Sequence, residues 1–153
     1  MNIGATRISQ RGDVLHLVND GLRDADMLEL IEANLEPELA LEMGLAMSQP
    51  HAFTVTVDEV PAAMFGVCPD PRYPDADAGV VWLLGTDRIL NIRRQFLRES
   101  LDWIDEIASQ YSVLGNSVHC ANLVHIRWLK WLGFTFIKAN GPMVEFARIS
   151  SHV

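Results

Sequence analysis

The side chains able to move a proton or attack a carbonyl are few in this sequence, and His125 is the most pointed. It stands in "NLVHIRWLKWLGFTF", residues 122–136, beside two tryptophans and two cations. An imidazole titrates near neutrality and can both take and return a proton. The alternative for His125 is a hydrogen-bonded structural histidine at a helix start. Glu59 follows Asp58 at a turn between β-rich segments; a carboxylate there could be a general base or plain surface. His119 and Cys120 are neighbours. A thiol could carry an acyl group, although a lone strand cysteine is more often a small buried hydrophobe. His16 lies in the first helical segment, from which it could reach a substrate. The loop "PDPRYPDADAG" holds three aspartates that could chelate a cation or simply be solvated. Cys68 and Cys120 fit no metal spacing and no disulfide framework, so a reducing, cytoplasmic setting is expected.

Length and charge narrow the classes. A chain of 153 residues fits one domain with its own core. No apolar run approaches the roughly 20 residues that span a bilayer, and the start "MNIGATRISQRGD" has no hydrophobic stretch behind its charges, so neither a membrane span nor a secretory leader is expected. The net charge of −8 opposes a general nucleic-acid binder. The charge is uneven. Residues 1–87 carry fifteen acids against four Lys and Arg, and residues 88–153 carry five against eight. The acidic part could meet a cationic partner and the basic part a compact anion such as a nucleotide, or both could be ordinary surface.

The elements that must position these residues read as follows. "ATRIS" is a first strand. A helix follows with Asp13 as its cap, closed by Gly21. Asp24 or Asp26 caps a second helix in "LRDADMLELIEANL", and Pro37 opens a third. "HAFTVTV" and "VPAAMFGVC" alternate as strands about the Asp58-Glu59 turn, and "VVWLL" reads as a strand buried on both faces. A long helix starts at Gly85-Thr86-Asp87, with Ile89, Ile92, Phe96, Trp103, Ile107 and Tyr111 on one stripe. "NSVHCA" is strand-like, Asn122 to Leu132 is helical, Gly133 ends that helix, and a hairpin turns at Asn140-Gly141. Trp128 and Trp131 are three apart and share a helix face. The pattern predicts an α/β or α+β domain, a single sheet with helices packed on it.

Asn122, His125, Gly133 and Phe134, in the spacing Asn-x-x-His-x-x-x-x-x-x-x-Gly-Phe, resemble the late helix–strand motif of the GNAT superfamily of acyl-CoA N-acyltransferases. The order of elements is similar over nearly the whole chain. More narrowly, "WLLGTD", "FLRESLDWIDE" and "NSVHCANLVHIRWLKWLGFTF" resemble a tailed-phage group, the internal virion protein A or GNAT-like acetyltransferase proteins. The resemblance implies a mixed, twisted sheet of six or seven strands with helices on both faces. "VVWLL" and "NSVHCA" would part in a V that holds the pantetheine arm of acetyl-CoA. The backbone of Leu83, Leu84 and Gly85 would face the acyl group, and the helix after Thr86 would aim its positive end at the pyrophosphate.

Two departures accompany the resemblance. The Gln/Arg-x-x-Gly-x-Gly/Ala loop that cradles pyrophosphate in catalytic members is absent from "GTDRILNIRRQ". Arg88, Arg93 and Arg94 could replace it with salt bridges or be solvated surface. Many members also place a tyrosine on the late helix to protonate the CoA thiolate. The matching position holds Leu129, which has no proton to give, so the role would fall to His125 or water. The resemblance thus admits two functions. One is an acetyl-CoA-dependent N-acetyltransferase acting on an amine, such as a lysine of a host protein. The other is a catalytically silent phage internal virion or assembly protein that binds other virion proteins. A homodimer is compatible with both, as is a location in the host cytoplasm or the virion.

Overall fold

The computed structural model describes residues 2–149. Seven strands form one sheet: β1 Gly4–Ile8, β2 Phe53–Val57, β3 Val60–Pro69, β4 Ala78–Gly85, β5 Val113–His119, β6 Thr135–Asn140 and β7 Met143–Ile149. The order is β1-β2-β3-β4-β5-β7-β6. Every pairing is antiparallel except β4 with β5. Helices α1 Arg11–Asp20, α2 Asp24–Glu32 and α3 Pro37–Met47 lie between β1 and β2, α4 Arg93–Ala108 crosses from β4 to β5, and α5 Leu123–Trp131 follows β5. The mixed seven-stranded sheet and its helical cover agree with the α+β reading.

Side-chain alternation along β3 and β4 gives each face its own core. Phe65, Val81 and Leu83 pack with Phe96, Ile104, Trp128 and Leu129 of α4 and α5. Met64 and Leu84 pack with Val14, Leu17, Leu30 and Leu41 of α1 to α3. The expected stripe of the long helix is buried at Ile89, Ile92, Phe96, Ile107 and Tyr111, and Trp103 packs half-buried on Phe53 at 4.7 Å.

Three local readings are corrected. Asp13 is not the cap of α1. Gln10 precedes the helix, and the Asp13 carboxylate accepts the Gln10 N–H at 2.8 Å from inside the first turn. Asp13 is buried, and Arg7 grips it with two bonds of 2.8 Å while Thr54 adds a third donor. Burial alone pushes this carboxyl up, but the bonds from Arg7, Gln10 and Thr54 hold it below its usual value. The long helix does not begin at Thr86. Residues Asp87–Ile92 form a 3₁₀ helix, capped by Thr86 Oγ1, and the α-helix starts at Arg93. Finally, Trp128 and Trp131 do not form one face. Trp128 is fully buried, and Trp131 is half exposed with its indole N–H on the Leu97 carbonyl at 2.7 Å.

Gly44 explains how α3 sits so close to the sheet. A Cβ at that position would lie 2.5 Å from the Trp82 ring. The Trp82 indole N–H is in turn fixed by Ser48 Oγ at 2.9 Å, so the ring has little room to withdraw. Alanine is the better helix former by about 1 kcal/mol, yet overpacking costs about 1–3 kcal/mol. Gly44→Ala is therefore expected to lower stability in urea melts; a rise in the midpoint would show that Trp82 yields.

A cleft between β4 and β5 closed by the second helix

β4 and β5 stay paired for only three steps, Ala78–Val113, Gly79–Leu114 and Val80–Gly115. Beyond them the strands part, and the freed backbone groups need other partners. The first rung is a side chain, since the Asn116 amide donates to the Val81 carbonyl at 2.9 Å. At the mouth of the gap the partners come from α2. Thr86 N–H turns toward β3 and the Ala62 carbonyl, so Gly85 N–H, one residue earlier, turns into the gap. The Asp26 carboxylate accepts it at 3.0 Å. The Gly85 carbonyl is also taken, by Arg23 N–H at 2.8 Å. Across the gap, the N–H of His119 at the end of β5 donates to Glu29 at 3.0 Å. Two carboxylates three residues apart on one helix face thus cap the ends of both strands.

Asn122 and His125 complete the network. The Asn122 amide donates to Asp26 at 2.9 Å and to Glu29 at 3.0 Å, while its oxygen accepts from Arg23 at 3.1 Å and caps α5 by accepting His125 N–H at 3.3 Å. The Arg23 guanidinium reaches both Asp26 oxygens at 3.3 Å. His125 Nδ1 lies 3.6 Å from Glu29. Asp26 and Asn122 have no exposed surface. Burial raises the Asp26 carboxyl above its ordinary range, and the nearby charges of His125 and Arg23 offset this only in part. Burial is also the largest influence on Glu29, but His125, the His119 N–H and Asn122 together bring it below its ordinary value. The two carboxylates are thereby driven apart in acidity.

A crevice of ≈ 70 Å³ remains beneath this network, between the end of β4, the 3₁₀ helix, α4 and the start of α5. Leu83, Leu90, Phe96, Leu97, Val124 and Trp128 make it apolar, and Arg93 and Arg127 border it. Phe96 and Trp128 are stacked at 5.7 Å. A wider hollow of ≈ 450 Å³ lies beside the first turn of α4 and is edged by Arg93, Arg94 and Arg98. Among the described residues these arginines form no ion pair.

The structure sorts the residues expected to bind a cofactor. Leu83, Gly85 and Arg93 line the crevice. Leu84 faces the opposite core. Arg88 is bound to Asp20 at 3.0 Å and Arg94 opens only on the wider hollow. Asn122 is inside the polar network, and Leu129 is fully buried in the core. Of the two expected catalytic residues, His125 is buried against Glu29 and Trp128 and does not line the crevice. Glu59 is exposed in the β2–β3 turn at φ 70°, with Asp58 at φ 51°. Cys120 lies past the end of β5 and is exposed, so it is not the strand residue expected. His119 Nδ1 accepts Ala121 N–H at 3.0 Å, and exposed His16 is 3.6 Å from Asp20. In the acidic loop, Asp70 is held by Arg72 at 2.8 Å. Among the described residues Asp26, Glu29 and His125 bring three metal-capable atoms within 4.8 Å, and Arg23 already pairs with Asp26 there.

The sequence does not single out Arg23, Glu29 or Asn116 and offers Asp26 only as a helix cap, yet Arg23 precedes α2 and neither Asp24 nor Asp26 caps it. The signal available was register. Asp26 falls four residues before buried Leu30, on the inward side of α2.

This architecture is that of the GNAT acetyltransferases. The ribosomal-protein-S18-alanine N-acetyltransferase from Escherichia coli superposes with a TM-score of 0.62 at 13% identity, covering 97% of this chain and 95% of that one. The GNAT domain of S. lividans PAT gives 0.67 at 15% identity over 95% and 90%. A GCN5-related N-acetyltransferase from Kribbella flavida gives 0.63 at 16% identity over 95% and 97%. In sequence, residues 74–140 match the family of the bacteriophage T7 probable scaffold protein Gp13. That segment carries both arms of the cleft. No curated protein matches the chain by sequence. Among the described residues no helix is long and apolar enough to cross a membrane.

The acidity of Glu29 gives the network a pH signature. A carboxylate with a lowered folded pKa contributes stability above its unfolded value, about 4.3, and loses it as pH falls through the folded value. Raised Asp26 acts in the opposite sense: its contribution is complete below the unfolded value and is lost as pH climbs through the folded one. Glu29→Gln is expected to lower stability at neutral pH by about 1–3 kcal/mol and to flatten the acid limb of a stability–pH curve. An unchanged acid limb would count against this assignment.

Proposed function

We propose that the chain is a catalytically silent GNAT-fold assembly protein of the tailed-phage type, acting through contacts with other proteins. The observation that carries this reading is the closure of the cleft by α2. An acyl thioester lying between β4 and β5 needs free backbone donors near Leu83–Gly85 to polarise its carbonyl. Gly85 has its N–H engaged by Asp26 of α2 and its carbonyl by Arg23 just before it, and His119 N–H is engaged on the other arm. Buried Leu129 stands where a proton donor would be, and His125 turns its Nδ1 into the network. The scaffold-family match over residues 74–140 supports the same reading.

A second reading is favoured by the crevice and the arginines beside it. Leu83, Leu90 and Leu97 could take the pantetheine of acetyl-CoA, with Arg93, Arg94 and Arg98 toward its phosphates. Such binding requires α2 to withdraw from Gly85. An amine of a small substrate or a host-protein lysine would then attack the thioester directly, with water or His125 protonating the thiolate.

Thermal melts with millimolar acetyl-CoA separate the two. A ligand at a hundredfold excess over its Kd adds about 2.7 kcal/mol to a native state that binds it. The silent reading expects an unmoved Tm and no release of CoA with lysine-containing peptides. A raised Tm with release of CoA establishes the second reading instead.

A further inference from the structure

The outer face of α3 is the strongest surface feature outside the cleft. Leu39, Met43 and Met47 recur at four-residue spacing and therefore line up on one side of the helix. They are 51%, 41% and 44% exposed, while the opposite side buries Leu41 and Gly44. α3 is thus apolar on both sides, which is the pattern of a helix with partners on both sides. The inner partner is the sheet. Neighbouring α2 adds exposed Leu28 and Ile31.

The charge around this stripe states the chemistry of its partner. Residues 24–71 hold ten acids and no Lys or Arg. The structure turns Asp26 and Glu29 inward, where the network consumes them. Glu32, Glu36, Glu38 and Glu42 remain exposed on α2, α3 and their connection. The surface of α3 is therefore apolar along this stripe and carries only acids among its charged side chains. Anionic lipid and nucleic acid are repelled by such a rim. A helix with an apolar stripe flanked by Lys and Arg is complementary to it in both respects. Unbranched Met43 and Met47 can adapt to side chains of varied shape.

We propose that α3 is a docking site for a cationic amphipathic helix of a partner protein, seated on Leu39, Met43 and Met47 and held by the surrounding glutamates. The site does not depend on whether the β4–β5 cleft is open.

The test uses a fluorescent Leu/Lys peptide of about 18 residues, five helical turns, with leucines at helical spacing. A scrambled peptide of the same composition is the control. Fluorescence anisotropy with the full chain is expected to show saturable binding of the patterned peptide, weakened as salt rises from about 0.1 to about 0.5 M. The double variant Leu39→Ser with Met43→Ser should bind at least about tenfold more weakly, and Glu38→Gln with Glu42→Gln should lose much of the salt dependence. Ile137→Ser on edge strand β6 should bind as the native chain does. All these positions are exposed, and circular dichroism confirms that the variants fold. Equal binding of the scrambled peptide, or equal weakening by Ile137→Ser, overturns the proposal. So does sedimentation showing that the chain self-associates and that the Leu39/Met43 variant abolishes it, because the occupant is then a second copy.

Discussion

Two neighbouring parallel strands that part after three residue pairs create a deficit of hydrogen-bond partners at the centre of the fold. The rest of the structure is arranged around that deficit. Parallel β4 and β5 leave N–H and C=O groups facing one another across a widening gap, and buried groups of this kind cost about 1–3 kcal/mol each when unpaired. Here Asn116 bridges the narrow part, and α2 supplies carboxylates where the gap is wide. Placing two carboxylates in a nearly dry site carries its own cost, which is why Arg23, Asn122 and His125 converge on them. One unmet backbone requirement thus accounts for five polar side chains drawn from α2, α5 and the residues that precede them.

The same arrangement divides the molecule electrically. Asp26 and Glu29 are spent inside the cleft, Glu32, Glu36, Glu38 and Glu42 keep the surface of α2 and α3 anionic, and Arg93, Arg94 and Arg98 gather on the first turns of α4. The crevice that remains is held by α2 at Gly85 on one side and bordered by Arg93 and Arg127 on the other. The outward stripe on α3 lies in the acidic part, on the far side of that helix from the sheet.

Much of the fold was legible in the sequence because local rules and the final packing agree. Gly133 ends α5 at φ 88°, Gly141 turns the last hairpin at φ 62°, and the Asp58-Glu59 turn is where alternation in the two flanking strands placed it. The start of α4 was misplaced because Thr86 caps a 3₁₀ turn with the same chemistry that caps an α-helix. The role of Asp13 is hidden for a related reason: its partner Thr54 meets it only after β1 and β2 pair. The cleft was legible in its strands and not in its contents. Nothing local distinguishes Asp26 and Glu29 from solvent-facing acids. Their partners Gly85, His119 and Asn122 lie 59, 90 and 96 or 93 residues away.

Those separations bear on how the chain is made. Synthesis proceeds from the N-terminus, so α2 emerges long before β5 and α5 exist to receive its carboxylates. Until then Asp26 has only Gly85 and Arg23, Glu29 has no partner, and Arg23 has no Asn122 to grip. The contacts that tie α2 to β5 and α5 are therefore among the last a nascent chain can form, since closing such long loops precedes any gain from them. In the growing chain the helix layer can settle on β3 and β4 first, and its carboxylates meet β5 and Asn122 only when the C-terminal third has left the ribosome.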